Sequence, residues 1–594
     1  MLDRPVQQVW QLEMFPGGSR SGAFESFLQD LEQKVHDFEQ QVSAASDGDI
    51  EEWAALLSLM QWIKAASMEA ESFIACLEAQ DLKDEYAKQL NGQLKQLSAA
   101  VEVSLNRMDS VLLAMDADRL AQLLQHDEVQ QIAFALRERR EIAAMKLPPE
   151  LESIISKLSV DGYHAWGDHY QRAVARIQIE QSGDDGELLK LSAGQAANRL
   201  HHPDRQVRSE LFTLWEQAWA GQADLCAAAL NHLAGFRLSV YDQRDWTSVW
   251  KEPLLLNRMS EETLQAMWQV VEANKEPYVR YLRRKAELLG LERLSWTDVE
   301  APLGSSVSKI DYSDAAEMIV GQFRTFSTDL SEFAQRVFNE RWIEAEDRPD
   351  KRPGGFCTAF PLSQETRIFM TYSGTPSGVS TLAHELGHAY HQHVMNDMPM
   401  LAQDYAMNVA ETASTFAELI IADAAVRGAA DDSERIALLD EKLQSAVAFY
   451  MNIHARFLFE TAFYEERRKG IVSAQRLNEL MEQAQRKAYC DELEQLHPHF
   501  WASKLHFYLT DVPFYNFPYT FGYMFSAGIY AIAEQEGAAA FAPKYVALLR
   551  DTASMRVEEL AAKHLGVDLT QRDFWQAAID KTSEDVELFL RLTE

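Results

Sequence analysis

The sequence predicts a mainly α-helical fold with a small β-sheet beside one buried helix. Three observations predict it. Apolar residues recur at helical spacing through the first third of the chain, and helices rich in Trp, Tyr, Leu and Ala resume from about residue 192. Only residues 347–380 interrupt the pattern strongly. With 594 residues and 47% hydrophobic content, the chain is long enough for two or more core-bearing regions.

Each element has its own signal. Phe24, Phe27, Leu28, Leu31, Val35, Phe38 and Val42 form one helical face, ended by a break at Ser46–Asp49. Asp49 and Glu52 form a capping box that opens a helix carrying Trp53, Leu56, Leu57, Met60 and Trp62. Helices then run to about residue 175. Arg176–Glu180 and Glu187–Leu191 alternate as strands around the turn residues Ser182–Gly186, which predicts a hairpin. The hairpin also marks the expected domain boundary, with a helical N-terminal domain over 1–190 and a second domain over 191–594. Further on, Arg348–Gly355 reads as a loop, Phe356–Phe360 and Thr366–Tyr372 as strands, and Ser373–Gly378 as a break. Thr381 is the expected N-cap of the helix that follows.

Composition narrows the function. A net charge of −35, from 91 acidic against 56 basic residues, repels phosphates and anionic membranes, so nucleic acid and membrane are set aside as partners. No run approaches the ~20 apolar residues of a membrane span, and the N-terminus has no apolar core of signal-peptide length. Cys76, Cys226, Cys357 and Cys490 are scattered without a metal or redox pattern, which fits a reducing, cytoplasmic setting. Cys357 lies upstream of the helix discussed next. Nothing in the sequence sets the oligomeric state.

That helix carries His384-Glu385-Leu386-Gly387-His388. Two histidines four apart share a helix face, so both imidazoles can reach one Zn²⁺ at roughly 2.0–2.1 Å. Glu385 then stands beside the metal as a general base rather than a ligand. A catalytic zinc wants a third protein ligand. His391 is about 10 Å along the axis from His384, His393 points to the opposite face, and Val394 occupies the site of the longer histidine signature. His391 and His393 therefore read as helix-surface or outer residues. A second helix, Asn408–Ile421, is largely apolar and Ala-rich, and Glu411 and Glu418, its two charged residues, lie seven apart on nearly one face. Carboxylates on such a helix are costly unless they bind metal or pair. Glu411 is the expected third ligand of one zinc per chain, and Glu418 the partner of a ligand histidine. Late in the chain, Tyr515, Tyr519 and Tyr523 are spaced by four, either as a core stripe or as a row of hydroxyls.

His384–His388 followed 23 residues later by Glu411-Thr-Ala-Ser414 resembles the oligoendopeptidase F and thimet oligopeptidase family of zinc metallopeptidases. Val9–Gly17, Leu200–Arg208 and Asp298–Gly304 are similar to oligoendopeptidase F proteins, and Lys504–Tyr508 and Pro513–Tyr523 resemble the family's late active-site segment. The resemblance implies two helical domains enclosing a deep substrate channel, the second being catalytic, and a zinc endopeptidase cutting internal bonds of short unfolded oligopeptides. It implies that a late histidine and tyrosines stabilise the tetrahedral intermediate, carried over to His506, Tyr515 and Tyr523, with His499 the alternative histidine. His506 stands further from Tyr515 than the matching pair does in thimet oligopeptidase. Tyr519, with Tyr372 and Gly374 beside the small sheet, is expected to contact substrate. A zinc carboxypeptidase would instead need a cationic residue gripping a free C-terminal carboxylate. An inactive peptide-binding relative would have no use for Glu385.

Overall fold

The computed structural model describes residues 2, 4–45, 49–183, 186–303 and 309–594. Ser46–Gly48 of the expected break, Asp184–Asp185 of the expected turn, and Gly304 lie outside the described residues. The chain divides into two compact units, each discontinuous in sequence. The first comprises Met1–Lys146, Ser308–Ala424 and Ile532–Gly566; the second comprises Leu147–Val307, Ala425–Ala531 and Val567–Glu594. The hairpin, where the sequence places a boundary near residue 190, lies inside the second unit.

In the first unit, α1 (Gly22–Ala44) buries Phe24, Leu28, Leu31, Val35, Phe38 and Val42 of the apolar face read from the sequence, while Phe27 at its edge is only partly buried. α2 (Ile50–Gln80) opens on the expected capping box. Asp49 accepts from Glu52 N at 2.9 Å and Glu52 accepts from Asp49 N at 3.0 Å, an arrangement worth about 1 kcal/mol. α2 is buried on more than one side because α1 and α3 (Glu85–Ala114) both pack on it. One apolar cluster joins Phe38, Trp53, Met60, Met108 and Leu112. Another joins Trp10, Phe15, Phe24, Phe73 and Leu90 to Phe360 and Phe369, so these helices seat a sheet.

Among the described residues there are two small sheets. β1 (Gln178–Ser182) and β2 (Leu188–Ser192) form an antiparallel hairpin. Its first strand begins two residues late because Arg176 N and Ile177 N still donate to Ala173 O and Val174 O of the preceding helix. In the first unit, β3 (Ile343–Glu344), β4 (Phe356–Phe360) and β5 (Glu365–Phe369) stand in the order β3-β5-β4. β5 runs antiparallel to β4 and parallel to β3. It ends before Tyr372, although Tyr372 N still donates to Ala345 O at 2.9 Å.

In the second unit, α4 (Arg205–Ala220) brings two of the family-like segments together. Arg208 pairs with the fully buried Asp298 at 2.9 Å and donates to His202 O and Pro203 O. Arg205 reaches the same carboxylate at 3.1 Å. Removing one partner of so buried a pair costs about 3–5 kcal/mol.

Candidate metal centre

The first histidines sit on α5 (Pro376–Met395). Thr375, not Thr381, caps it: Thr375 Oγ1 accepts from Gly378 N at 3.1 Å, and Pro376 fills the first helical position. A proline there lacks only a donor that has no partner in any helix, so the helix begins inside the expected break. Thr381 lies within it and donates to Ser377 O. α6 (Met407–Gly428) supplies the carboxylates.

Gly387 explains how the two helices meet. A Cβ at that position would lie 2.5 Å from both Ala413 O and Ser414 Cα, so the backbones cross in contact. The helical spacing of the motif gives Gly387 no role. Its one signal in the sequence is a glycine inside a helix, where alanine would be favoured by about 1 kcal/mol.

The crossing brings three donors together. His384 Nε2 lies 3.0 Å from His388 Nε2, and Glu411 Oε2 lies 3.5 and 3.6 Å from those two atoms. Ligands about 2.0–2.1 Å from a tetrahedral zinc stand about 3.3–3.4 Å apart, so the spacing fits. Among the described residues this is the only such group of His, Cys, Asp and Glu. Glu418 Oε1 takes His384 Nδ1, and Ser414 Oγ donates to Glu411 Oε2 at 3.0 Å. Burial opposes a charge on His384, but Glu418, Glu411 and Glu385 outweigh it and raise His384 to about 9. Burial and the charges of His384 and His391 hold His388 well below its ordinary value. Three carboxylates around two imidazoles give a field suited to a dication.

Glu385 is buried, and its Oε2 has no hydrogen-bond partner among the described residues. Burial, with Glu411 and Glu418, outweighs the pull of His384 and raises Glu385 to about 7. A Cβ at Gly355 would come within 3.2 Å of Glu385 Oε1, so the start of β4 runs close to it. Cys357 is close enough for the Glu385 charge to add to burial in raising its thiol well above the ordinary range. His391 is not a surface residue. It is fully buried, stacks on Tyr405 and reaches Thr552 Oγ1 at 2.9 Å, because α5 is covered on that side too. His393 stacks on Phe333.

The other candidates fall in two places. In the first unit, Tyr372 OH donates to Ile310 O, and Gly374, at φ 76°, accepts from Ile310 N. In the second unit, His506 meets Tyr515 and Tyr519 edge-on, with ring centres 5.3 and 6.2 Å away. Tyr523 stacks on Phe449 instead, at 4.4 Å. Both nitrogens of His499 are engaged, Nδ1 with Glu216 at 2.6 Å and Nε2 with Asn478 at 3.2 Å, whereas His506 Nδ1 is buried without a partner.

Comparison with known proteins agrees. Residues 318–581 match Peptidase family M3, and residues 112–179 match Oligopeptidase F. An oligoendopeptidase F homolog of Lactococcus lactis subsp. lactis (strain IL1403) is 25% identical over 420 residues, covering 69% of this chain and 68% of the relative. Group B oligopeptidase PepB of Streptococcus agalactiae serotype III (strain NEM316) is 27% identical over 405 residues, covering 66% of this chain and 65% of the relative. The crystal structure of oligoendopeptidase-F from Enterococcus faecium shares the fold, with a TM-score of 0.71 at 18% identity, over 95% of this chain and 99% of that one. With the M3 match spanning the HExxH helix, the chain belongs to peptidase family M3, beside the oligoendopeptidases F, and is a metallopeptidase.

Proposed function

We propose that this metallopeptidase is a zinc endopeptidase acting on internal bonds of short, unfolded oligopeptides. The observation that carries the reading is the convergence of His384, His388 and Glu411 beside the unpartnered carboxylate of Glu385. His384, His388 and Glu411 would hold Zn²⁺, which would supply Lewis acidity for activating water near neutral pH and polarising a carbonyl. Glu385 takes the proton from the attacking water and delivers it to the leaving amine. Glu418 holds Nδ1 of His384, which orients the ring and keeps Nε2 as the donor. On the family resemblance, His506, Tyr515 and Tyr523 are assigned to the developing oxyanion, at about 3 kcal/mol per donor. Tyr372, Gly374 and Tyr519 are assigned to the substrate. The free state of all four cysteines supports a cytoplasmic setting.

Mass spectrometry of a digested peptide mixture tests the reading. Peptides of about 6–20 residues, including C-terminally amidated ones, should be cut internally, while native globular proteins resist. Chelation should abolish cleavage and zinc restore it. Shortening confined to free C-termini would replace this reading with a carboxypeptidase, and an inert, zinc-loaded protein would replace it with a binding relative.

A further inference from the structure

In a chain with 91 acidic and 56 basic residues, two half-buried cations of the second unit stand without a carboxylate among the described residues. Arg456, on α7 (Ile453–Arg467), spends its guanidinium on neutral acceptors. Nε donates to Asn452 Oδ1 at 2.8 Å and Nη1 to Asn516 Oδ1 at 3.0 Å. Its Cζ lies 5.1 Å from the centre of the Phe500 ring, and Lys504 Nζ lies 5.1 Å from the same centre. Among the described residues, neither cation has an acidic oxygen within ion-pair reach. Glu300 acts on both from a distance, but it is exposed and pairs with His201 at 3.4 Å.

The cost of this arrangement shows in the titration of its members. Burial lowers Arg456 to about 10; burial and then the Arg456 charge lower Lys504 to about 8. Burial and both cations lower His506 to about 4, which keeps it neutral. Among the described residues, Nδ2 of the Asn516 amide that Arg456 holds is buried without a partner. A planar guanidinium edge, an ammonium and an amide beside the ring of Phe500 make a donor set for a small oxyanion. Two cations beside one aromatic ring, close enough for the charge of one to act on the other, gain most from a single negative group near both.

We infer that Arg456 and Lys504, with Asn516 beside Arg456, form a recognition site for a carboxylate of the peptide substrate. The inference rests on the oligopeptidase reading and names what its substrates carry. The carboxylate is either the peptide's C-terminal group or an Asp or Glu side chain, and the recognising chemistry is the same.

One peptide in four versions separates these sources: free or amidated at the C-terminus, with Glu or Gln at one internal position. The wild-type enzyme should favour at least one carboxylate form by ~10-fold or more in kcat/KM, mainly through KM. Acid against amide reads the C-terminal group, and Glu against Gln reads the side chain. In Lys504→Gln and Arg456→Gln the preference should fall to within about twofold, while Lys504→Arg retains it. Equal kcat/KM for all four peptides in the wild-type enzyme would overturn the inference. So would a preference that survives both neutral variants. Calorimetric titration of the same peptides into Glu385→Gln protein reads the preference without hydrolysis. Failure of the peptidase reading is thereby distinguished from failure of carboxylate recognition.

Discussion

Glu411 and Glu418 meet His384 and His388 in the first unit, while Glu216 on α4 meets His497 and His499 in the second. The residue types are the same, the first group half-buried and the second more deeply set. Their ring nitrogens are used differently. Glu418 takes Nδ1 of His384, so Nε2 turns toward His388 Nε2 and Glu411, and three donors converge. In the second group one carboxylate faces Nδ1 of both rings, hydrogen-bonded to His499 and in ion-pair contact with His497. The Nε2 atoms there are engaged by Trp215 and Ser503 on one ring and Asn478 on the other. Among the described residues, no three donors of that group are left to face a common point. Orientation, imposed by the neighbours of each ring, separates a candidate metal centre from a structural knot.

Removing one carboxylate from each group gives the largest contrast. Glu411→Ala should lose most of its zinc and nearly all activity, since two histidines leave the ion under-coordinated. Glu216→Ala should keep one zinc per chain and show a lower Tm. Elemental analysis beside thermal denaturation reads both, and full zinc in Glu411→Ala would break the comparison. Next, Glu385→Gln preserves shape but removes the proton acceptor. Zinc should stay while turnover falls by at least ~10²-fold. Normal turnover in the zinc-loaded variant would sink the assigned base.

Glu418→Gln sharpens the point about orientation. It leaves all three ligands in place, yet zinc affinity should fall about 10–100-fold, measured by competition with a chelator. An unchanged affinity would mean that the ring needs no such partner.

The smallest effect is a pH dependence. Burial alone would raise Glu216, but His497 and His499 overcome it and lower the carboxyl from 4.5 to about 2. A carboxyl depressed on folding stabilises the protein above its unfolded pKa, and that share is lost as pH falls through the folded value. The unfolding free-energy gap between wild type and Glu216→Gln should therefore be full at pH 5–6, on the order of 2–3 kcal/mol. It should shrink between about pH 4.5 and 2. Urea unfolding at several pH values measures it, and a gap constant from pH 6 to 3 would contradict the ion-pair account.

Much of this is legible in the order of the amino acids alone. The α1 face, the Asp49–Glu52 box, the hairpin and β4 follow from periodicities and caps spanning a few residues. So does the candidate metal centre, because a spacing of four within α5 and of seven within α6 puts the grouped side chains on one face of each helix. The start of α5 is harder to read, because threonine caps at two positions look alike until Pro376 is given its place at the first turn. His391 reads as a surface residue from the helix alone, because its cover comes from residues 549–552, more than 150 positions away.

Backbone periodicity is a local property, so the chain's own order of residues dictates which side chains share a helix face and which chemistry that face offers. How two faces meet is not local. The contact at Gly387, the double hold of Glu216 on two histidines, and the stranding of Arg456 and Lys504 without a carboxylate depend on residues far apart in sequence. Such pairings are chosen by close packing and by the cost of burying unpaired charge, and those terms exist only once the folded neighbours are in place.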